Sequence, residues 1–292
     1  MGGAVRDLLL GRTAGDIDLT TNAHPAQVQK LFRRTVPTGL QHGTVTVLMP
    51  EQKRPEIATE NFEITTYRAE SDYTDARRPD SIAFAKTLDD DLSRRDFTVN
   101  ALAYDCATHE LGDRYAGLQD LRDRTLRTIG RPRDRFFEDG LRTIRACRFA
   151  ATLEFAIEAE TAQALRDPEI QTRTAQVSIE RFTDELFKGL RAARPSLMLG
   201  HLAATGLLAL FFPADFPGPT APEIAGEVDA LPPTHPVLRL ALWCDRLNFR
   251  GEELAGLAGR LRFSKKQIRD LEWSQSYLRF LELKTELETE LN

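Results

Sequence analysis

The sequence GRTAGDIDLT, at residues 11–20, joins a turn to a short strand that carries two aspartates. Side chains alternate along a strand, so Asp16 and Asp18 project from one face about 6.5 to 7 Å apart, while Ile17 and Leu19 turn toward a core. Hard divalent cations bind oxygen ligands, and two ions roughly 3.5 to 4 Å apart can activate a hydroxyl and stabilise a leaving phosphate. The motif therefore suggests a catalytic metal site, although an Asp-x-Asp pair more often caps or hydrates a surface.

Two further segments fit the same chemistry. In the run FEITT, at residues 62–66, a strand that buries Phe62 and Ile64 presents Glu63 on the opposite face. The segment GGAVRD, at residues 2–7, resembles a turn at a helix start whose amides, with Arg6, would receive a triphosphate. The alternatives are a solvent-facing glutamate on an amphipathic strand and a pair of merely flexible glycines.

The pattern along the chain predicts an α+β protein, with short strands and turns first and helices after them. The boundary falls near Gly130, and a proline-rich connector is expected at residues 212–236. Strands are predicted at residues 16–20, 43–49, 61–67 and 100–105. Helices are predicted at residues 25–33, 137–153, 160–165, 178–191 and 196–210.

Composition excludes several classes of protein. A chain of 292 residues with 41% hydrophobic content is long enough for two or more domains. No apolar run is long enough for a membrane helix, and the N-terminus lacks the apolar core and cleavage site of a signal peptide. A cytoplasmic protein is expected. Cys106, Cys147 and Cys244 are widely spaced, so they predict reduced thiols in a core rather than disulfides or zinc. The net charge is −5, yet arginines crowd residues 122–148, and nucleic-acid binding depends on such local distribution.

Five motifs follow one another in the chain. They are GGAVRD through DID at residues 2–18, RRDFTVNA at 94–101, DLRDRTLR at 120–127, EDGLR with RACRF at 138–149, and SIER with EL at 178–186. Their order and spacing resemble those of the class II tRNA nucleotidyltransferase and bacterial poly(A) polymerase family, over residues 2 to about 210. The resemblance implies a head with a five-stranded mixed sheet, followed by a helical neck and body.

The resemblance also implies roles for individual residues. Asp16, Asp18 and Glu63 are expected to be catalytic and to bind Mg²⁺, the implied cofactor. Asp96 is expected to accept a ribose hydroxyl, and Arg95 and Asn100 to donate near the triphosphate, which suits a carboxylate and N–H donors. The full set expected to bind nucleotide is Gly2, Gly3, Arg6, Arg95, Asp96, Asn100, Asp139, Arg142, Arg145 and Arg148. Arg94 belongs to the same motif, and for it the alternative to a role in nucleotide binding is a structural ion pair with Asp90 or Asp91.

The fourth motif bears on the choice of base. Helical spacing predicts a core stripe on one face and a polar row, Arg135, Asp139, Arg142, Arg145 and Arg148, on another. The stripe comprises Phe137, Leu141, Ile144, Cys147 and Ala151. Asp139 and Arg142 are three residues apart, the usual spacing of a structural ion pair, but the family assigns them base recognition. Cytosine and adenine present an amino donor beside a ring-nitrogen acceptor, so one carboxylate and one guanidinium would accept them and reject guanine and uracil, by about 1 to 3 kcal/mol per bidentate pair.

Other features narrow the choice within the family. Residues 73–80 resemble a loop that CCA-adding and A-adding members retain and CC-adding members lack, and residues 98–105 look nearer to tRNA-type members than to poly(A) polymerases. None of the five histidines precedes an aspartate, so a fused phosphohydrolase domain is not signalled. Members usually carry a helix and a strand before the glycine pair and longer C-terminal helices, so a shortened chain is expected.

These observations predict a template-independent enzyme that adds C and A residues to the 3′ end of tRNA. The expected partners are the tRNA 3′ end and acceptor stem, with ATP and CTP as substrates and no membrane. The expected domains are a head at residues 1–129, a neck at 130–191 and an RNA-binding body at 192–292. The alternatives are an A-adding enzyme of a partitioned pair, a bacterial poly(A) polymerase, and an RNA-binding protein with impaired catalysis.

Overall fold

The computed structural model describes residues 1–15, 17–49, 61–68, 83–217 and 222–290. The chain divides into two compact units, Met1–Arg135 and Phe136–Asn292. A small mixed sheet and many helices confirm the predicted α+β class. The finer division into head, neck and body stays a prediction. In the part of the chain that the structure describes, no helix combines the length and the apolarity needed to span a membrane.

The first unit holds most of the strands. Its strands are β1 (Asp18–Thr21), β2 (Thr35–Gly39), β3 (Thr44–Leu48), β4 (Asn61–Thr66), β5 (Leu102–Tyr104), β6 (Leu111–Asp113) and β7 (Thr125–Leu126). Its helices are α1 (Gly3–Leu9), α2 (Pro25–Leu31), α3 (Leu88–Ser93) and α4 (Gly117–Arg122), with 3-10 turns at Leu40–His42 and Thr98–Asn100.

Strands β1 to β4 form one sheet in the order β1-β4-β3-β2. Strand β1 runs parallel to β4, and the other neighbours are antiparallel. Alternation along the strands sends Val45, Val47 and Ile64 into a core with Val28 of α2. Leu19 packs against this core as predicted, but Ile17 precedes β1 and is 36% exposed, so its predicted burial is wrong.

The predicted strand at residues 100–105 does not belong to the main sheet. It forms β5, which pairs with β6 in a separate two-stranded sheet, and the Leu102 carbonyl accepts a hydrogen bond from the Gly2 amide at 2.8 Å. The main sheet therefore has four strands, not five, among the described residues. Strand β2, which contains a proline, was not predicted from the sequence.

The remaining elements are almost all helical. Helix α5 (Pro132–Glu138) crosses the division between the units, and it is followed by α6 (Leu141–Leu153), β8 (Ala156–Ile157), α7 (Ala159–Ala164), α8 (Pro168–Thr174), α9 (Ile179–Leu190), α10 (Pro195–Ala204), a 3-10 turn (Leu208–Leu210), α11 (Pro222–Ala230), α12 (Pro236–Arg246), α13 (Gly251–Arg260) and α14 (Lys265–Glu290). The connector predicted at residues 212–236 thus contains a helix, and Gly206, with φ of 79°, interrupts the helix predicted at 196–210.

The helix predicted at residues 137–153 is interrupted as well. Gly140 separates α5 from α6 and lies against the backbone of α8, where an added Cβ would come within 2.8 Å of the Arg173 carbonyl oxygen. The interruption changes the helical phase, so Phe137 is 55% exposed and its predicted core position is wrong. The other members of the stripe, from Leu141 to Ala151, are buried as predicted.

The three cysteines provide a first test of the packing. Burial raises the pKa of Cys147 to about 12 and also raises the pKa of Cys244. Cys106 is exposed in the turn between β5 and β6, contrary to the expectation that all three thiols lie in a core.

We expect Ellman's reagent to modify Cys106 rapidly in the native protein and the other two thiols only after unfolding. The thiolate is the reactive form, and burial keeps Cys147 and Cys244 protonated. A second thiol as fast as Cys106 would contradict this packing.

Candidate active site

Two of the three predicted metal-binding carboxylates lie side by side. Asp18 of β1 is the direct register partner of Glu63 of β4, so both side chains project from the same face of the sheet, and both are exposed. The third, Asp16, lies outside the described residues. Carboxylate oxygens are ligands that hard divalent cations prefer, so the donor set fits such an ion. Among the described residues, no group of three or more His, Cys, Asp or Glu is arranged around a common point.

The face that carries these carboxylates is otherwise lined by threonines. Thr46 is the register partner of Glu63 on its other side, and the hydroxyls of Thr44 and Thr65 lie 2.9 Å apart. The opposite face packs on the apolar core around Val45 and Ile64. Burial of one face thus holds the polar face, and the two carboxylates on it, in one orientation.

The glycine pair lies at the start of α1. Gly2 has φ of 66°, a left-handed conformation that favours glycine, and an added Cβ would come within 2.6 Å of the Arg95 guanidinium. The absence of a side chain therefore lets Arg95 approach the backbone at the helix start. Gly3 begins the helix, and its next turn carries the buried Arg6.

Polar side chains connect α1 to the second motif. Arg6 donates from Nη1 to Oδ1 of Asn100 at 2.5 Å and from Nε to Asp7 at 2.8 Å. Asn100 in turn donates from Nδ2 to Oδ1 of Asp96 at 3.0 Å, and this same oxygen accepts the Phe97 amide at 2.8 Å. The structure thus brings together Arg6, Asp96 and Asn100, which the sequence predicted only as members of two separate motifs.

Arg95 is held by a buried carboxylate. Its guanidinium lies 3.5 Å from Asp91 and donates to the Asn100 carbonyl at 3.3 Å. Burial lowers the pKa of Arg95 although Asp91 opposes the shift. Burial alone would raise the pKa of Asp91, but Arg94 and Arg95 outweigh it, and the pKa lies below its usual value. Arg94 pairs with Asp91 at 2.6 Å, which decides between the two partners considered for it.

Residues of the third motif contact the second motif and hold its backbone in position. Asp120 of α4 accepts from the Thr98 hydroxyl at 2.6 Å and from Arg127 at 3.2 Å. Gly117 lies so close to the 3-10 turn that an added Cβ would be 2.5 Å from the Thr98 carbonyl oxygen. These contacts hold the turn Thr98–Asn100, and with it Asn100, in place.

Asp139 and Arg142 lie at the junction of α5 and α6, and each has a partner from outside the pair. Asp139 accepts from Arg181 of α9 at 2.8 Å with Oδ2 and from the Leu141 amide at 3.0 Å with Oδ1. Arg142 donates to Glu138. Sequence reasoning did not identify Arg181 as the partner of Asp139, although it stands in the fifth motif. The two residues are 42 positions apart, so no local sequence pattern indicates their contact.

Arg145 and Arg148 converge on Glu185. Arg148 donates to this buried carboxylate, Arg145 lies 3.8 Å from it, and Lys188 donates to it at 3.0 Å. The Arg148 guanidinium also lies 3.8 Å from the centre of the Phe149 ring. Burial alone would raise the pKa of Glu185, but Arg148, Arg145 and Lys188 outweigh it, so its pKa is lowered. Glu185 therefore anchors α6 to α9, a role that the sequence did not reveal.

The chain is similar in sequence to two family models and to known proteins. The family described as Poly A polymerase head domain matches residues 1–127, and the one described as Probable RNA and SrmB- binding site of polymerase A matches residues 154–214. The CCA-adding enzyme of Enterococcus faecalis is 45% identical over 190 residues, which are 65% of this chain and 44% of that protein. The CCA-adding enzyme of Bacillus velezensis is 44% identical over 209 residues, which are 71% of this chain and 50% of that protein.

A solved structure extends the likeness to most of the chain. The crystal structure of the Bacillus stearothermophilus CCA-adding enzyme in complex with CTP superposes with a TM-score of 0.78 at 32% identity, covering 95% of this chain and 65% of that one. The chain spans about half the length of the curated relatives it matches. Its motifs, fold and relatives agree, and the chain belongs to the class II tRNA nucleotidyltransferase and bacterial poly(A) polymerase family.

Proposed function

We propose that this chain is a template-independent tRNA nucleotidyltransferase, which adds C and A residues to the tRNA 3′ end from CTP and ATP. The observation that carries the proposal is the pairing of Asp18 with Glu63 on the polar face of the sheet. The CCA-adding relatives, one of them solved with CTP, support it. A tRNA substrate is available in the cytoplasm, and we propose that the chain acts there.

In the proposed reaction, the tRNA 3′ hydroxyl attacks the α-phosphate of the nucleotide and pyrophosphate leaves. Asp18 and Glu63, with Asp16, would hold Mg²⁺, which supplies Lewis acidity to phosphate and hydroxyl oxygens when bound. The residues of α1 and the second motif bind the nucleotide. Gly2 and Gly3 let the guanidinium groups of Arg95 and Arg6 lie close to the backbone at the start of α1. Arg6, Arg95 and Asn100 offer positive charge and N–H donors to the triphosphate. Asp96 accepts a hydroxyl of the ribose.

Residues of the fourth motif select the base. Asp139 accepts the amino group of cytosine or adenine, and Arg142 donates to the neighbouring ring nitrogen. Arg181 and Glu138 hold the two side chains in place, so little reorganisation is needed when a nucleotide binds. We propose that Arg145 and Arg148 contact the nucleotide as well, from positions set by Glu185.

The activity is tested by supplying labelled CTP or ATP with Mg²⁺ to defined RNAs. The substrates are a tRNA that ends before the CCA, a tRNA at each partial stage of CCA, and an unrelated RNA. Addition of two C residues and then one A is expected. A single A on a tRNA that already ends in CC, without C addition, would instead indicate a partitioned A-adding enzyme, and long A tails on every RNA would indicate a poly(A) polymerase. Binding without incorporation would contradict the catalytic proposal.

Replacing Asp139 with alanine is expected to reduce the preference for CTP and ATP over UTP and GTP by roughly 5- to 150-fold, since a bidentate base contact contributes about 1 to 3 kcal/mol. Replacing Arg142 with alanine should have a similar effect. The measurement is incorporation of each of the four nucleotides by single-turnover kinetics. Glu180→Gln is a matched control, because Glu180 pairs with Arg262 at the exposed side of α9. Unchanged selectivity in both alanine variants would contradict base recognition by this pair.

A further inference from the structure

Helix α14 has a buried row of side chains and an exposed row. Leu271, Ser274 and Leu278 are buried where the helix packs against α12. Trp273, Tyr277 and Phe280 lie on another side and are 56%, 39% and 61% exposed. The Trp273 and Tyr277 rings stack on each other, with centroids 5.2 Å apart and planes 6° apart. Three neighbouring exposed aromatic rings are unusual on a protein surface and mark an interaction site.

Charged residues continue the exposed row at both ends. Lys266 and Asp270 precede the aromatic residues, and Lys284 and Glu288 follow them. Steps of three or four residues keep all seven side chains on one side of the helix, and all seven are exposed. We refer to the row Lys266, Asp270, Trp273, Tyr277, Phe280, Lys284 and Glu288 as the α14 stripe.

Two antiparallel copies of the α14 stripe are complementary in charge. When two copies of α14 lie antiparallel with a two-fold axis beside Tyr277, Lys266 faces the partner's Glu288 and Asp270 faces the partner's Lys284. Trp273 then faces the partner's Phe280. A parallel pair would place every charge opposite its own copy, which is unfavourable. Self-complementarity of this kind is what a two-fold interface requires.

The length of α14 is sufficient for an interface with a second copy of the chain, and its charge favours such a copy over RNA. The 26 residues of α14 form a helix about 39 Å long, which is enough for an extended helix-to-helix interface with an aromatic centre and a charged rim. Residues 282–290 contain four glutamates and one lysine, a charge that repels phosphate. Lys284 pairs with Glu288 at 3.7 Å, and an exposed pair of this kind contributes at most about 1 kcal/mol.

We propose that the chain forms an antiparallel, two-fold symmetric dimer through the α14 stripe. The proposal does not depend on the proposed enzymatic function. The central contacts are Trp273 and Tyr277 against the partner's Phe280 and Tyr277, and the lysine–carboxylate pairs at the two ends set the antiparallel direction.

Sedimentation equilibrium of the full chain tests the dimer. The expected mass is twice 32.9 kDa at high concentration and falls toward the single-chain mass on dilution. Phe280→Ser and Trp273→Ser should each raise the dissociation constant roughly tenfold or more, because anchors at the centre of an interface carry most of the affinity. Ile268→Ser should leave it unchanged, since Ile268 is 40% exposed on the same helix but lies about 120° to 180° around it from the aromatic row.

A charge exchange tests the antiparallel arrangement. Asp270→Lys and Lys284→Asp each create two like-charge contacts per dimer, so each variant alone should dissociate at least about tenfold more readily. An equimolar mixture of the two variants restores opposite charges across the interface, and association should return. Failure of the mixture to associate would overturn the antiparallel arrangement. A single-chain mass at every concentration, or loss of RNA binding without a change of mass in the folded aromatic variants, would overturn the dimer.

Discussion

Replacing Asp18 with asparagine is expected to reduce nucleotide incorporation at least about a thousandfold, while the protein stays folded. Asparagine keeps the shape of the side chain but removes the negative charge beside Glu63, and this charge is what the proposed divalent ions require. Both side chains are exposed on the polar face of the sheet, so the apolar core on the opposite face is not disturbed. The measurement is the single-turnover rate of CTP and ATP incorporation at saturating Mg²⁺.

Glu63→Gln should have an effect of similar size, because Glu63 is the direct register partner of Asp18. Asp89→Asn is the matched control. Asp89 is an exposed aspartate of α3 that pairs with Arg114, and its replacement should leave the rate unchanged. Circular dichroism and thermal unfolding verify that each variant is folded. Full activity of folded Asp18→Asn protein would remove the assignment of this carboxylate to the metal site.

Replacing Glu185 with glutamine is expected to lower the free energy of unfolding by about 3 kcal/mol or more, because removal of one partner leaves a buried charge uncompensated. Glu185 is 2% exposed and interacts with Arg148, Arg145 and Lys188. Loss of its charge also releases the two arginines that we propose to contact the nucleotide. The measurements are urea unfolding and the ratio of CTP and ATP to UTP and GTP incorporation under conditions where the variant is folded.

The pH dependence of this effect has a definite sign. The pKa of Glu185 in the folded protein lies below its usual value of 4.5. The stabilisation is therefore complete above about pH 4.5 and is lost as the pH falls through the folded-state pKa. The difference in unfolding free energy between the native sequence and Glu185→Gln should shrink as the solution is acidified.

Two controls separate the buried cluster from general damage to α9. Glu180→Gln, on the same helix, removes an exposed charge that pairs with Arg262 and should change the free energy of unfolding by less than about 0.5 kcal/mol. Lys188→Ala should have a small effect too, because its side chain is 56% exposed. A Glu185→Gln variant as stable as the Glu180→Gln control would show that the cluster contributes little.

Several features were predictable from the sequence because they depend on local geometry. Alternation along a strand placed Asp18 and Glu63 on a polar face and Ile64 in the core, and the same rule predicted strands close to β1, β3 and β4. Helical periodicity likewise predicted that Ile144 and Cys147 are buried. The order of the motifs was enough to identify the family.

Other features depended on contacts between distant parts of the chain. Asp139 meets Arg181 across 42 positions, and Arg148 meets Glu185 across 37, so no local pattern signals either pair. The break at Gly140, which exposes Phe137, arises because the backbone of α8 passes too close for a side chain. The sequence by itself therefore determined the family, the fold class and the faces of its strands, since these follow from backbone periodicity and motif order. Only the tertiary structure decided which charged groups meet, because those pairs form where separate helices pack together.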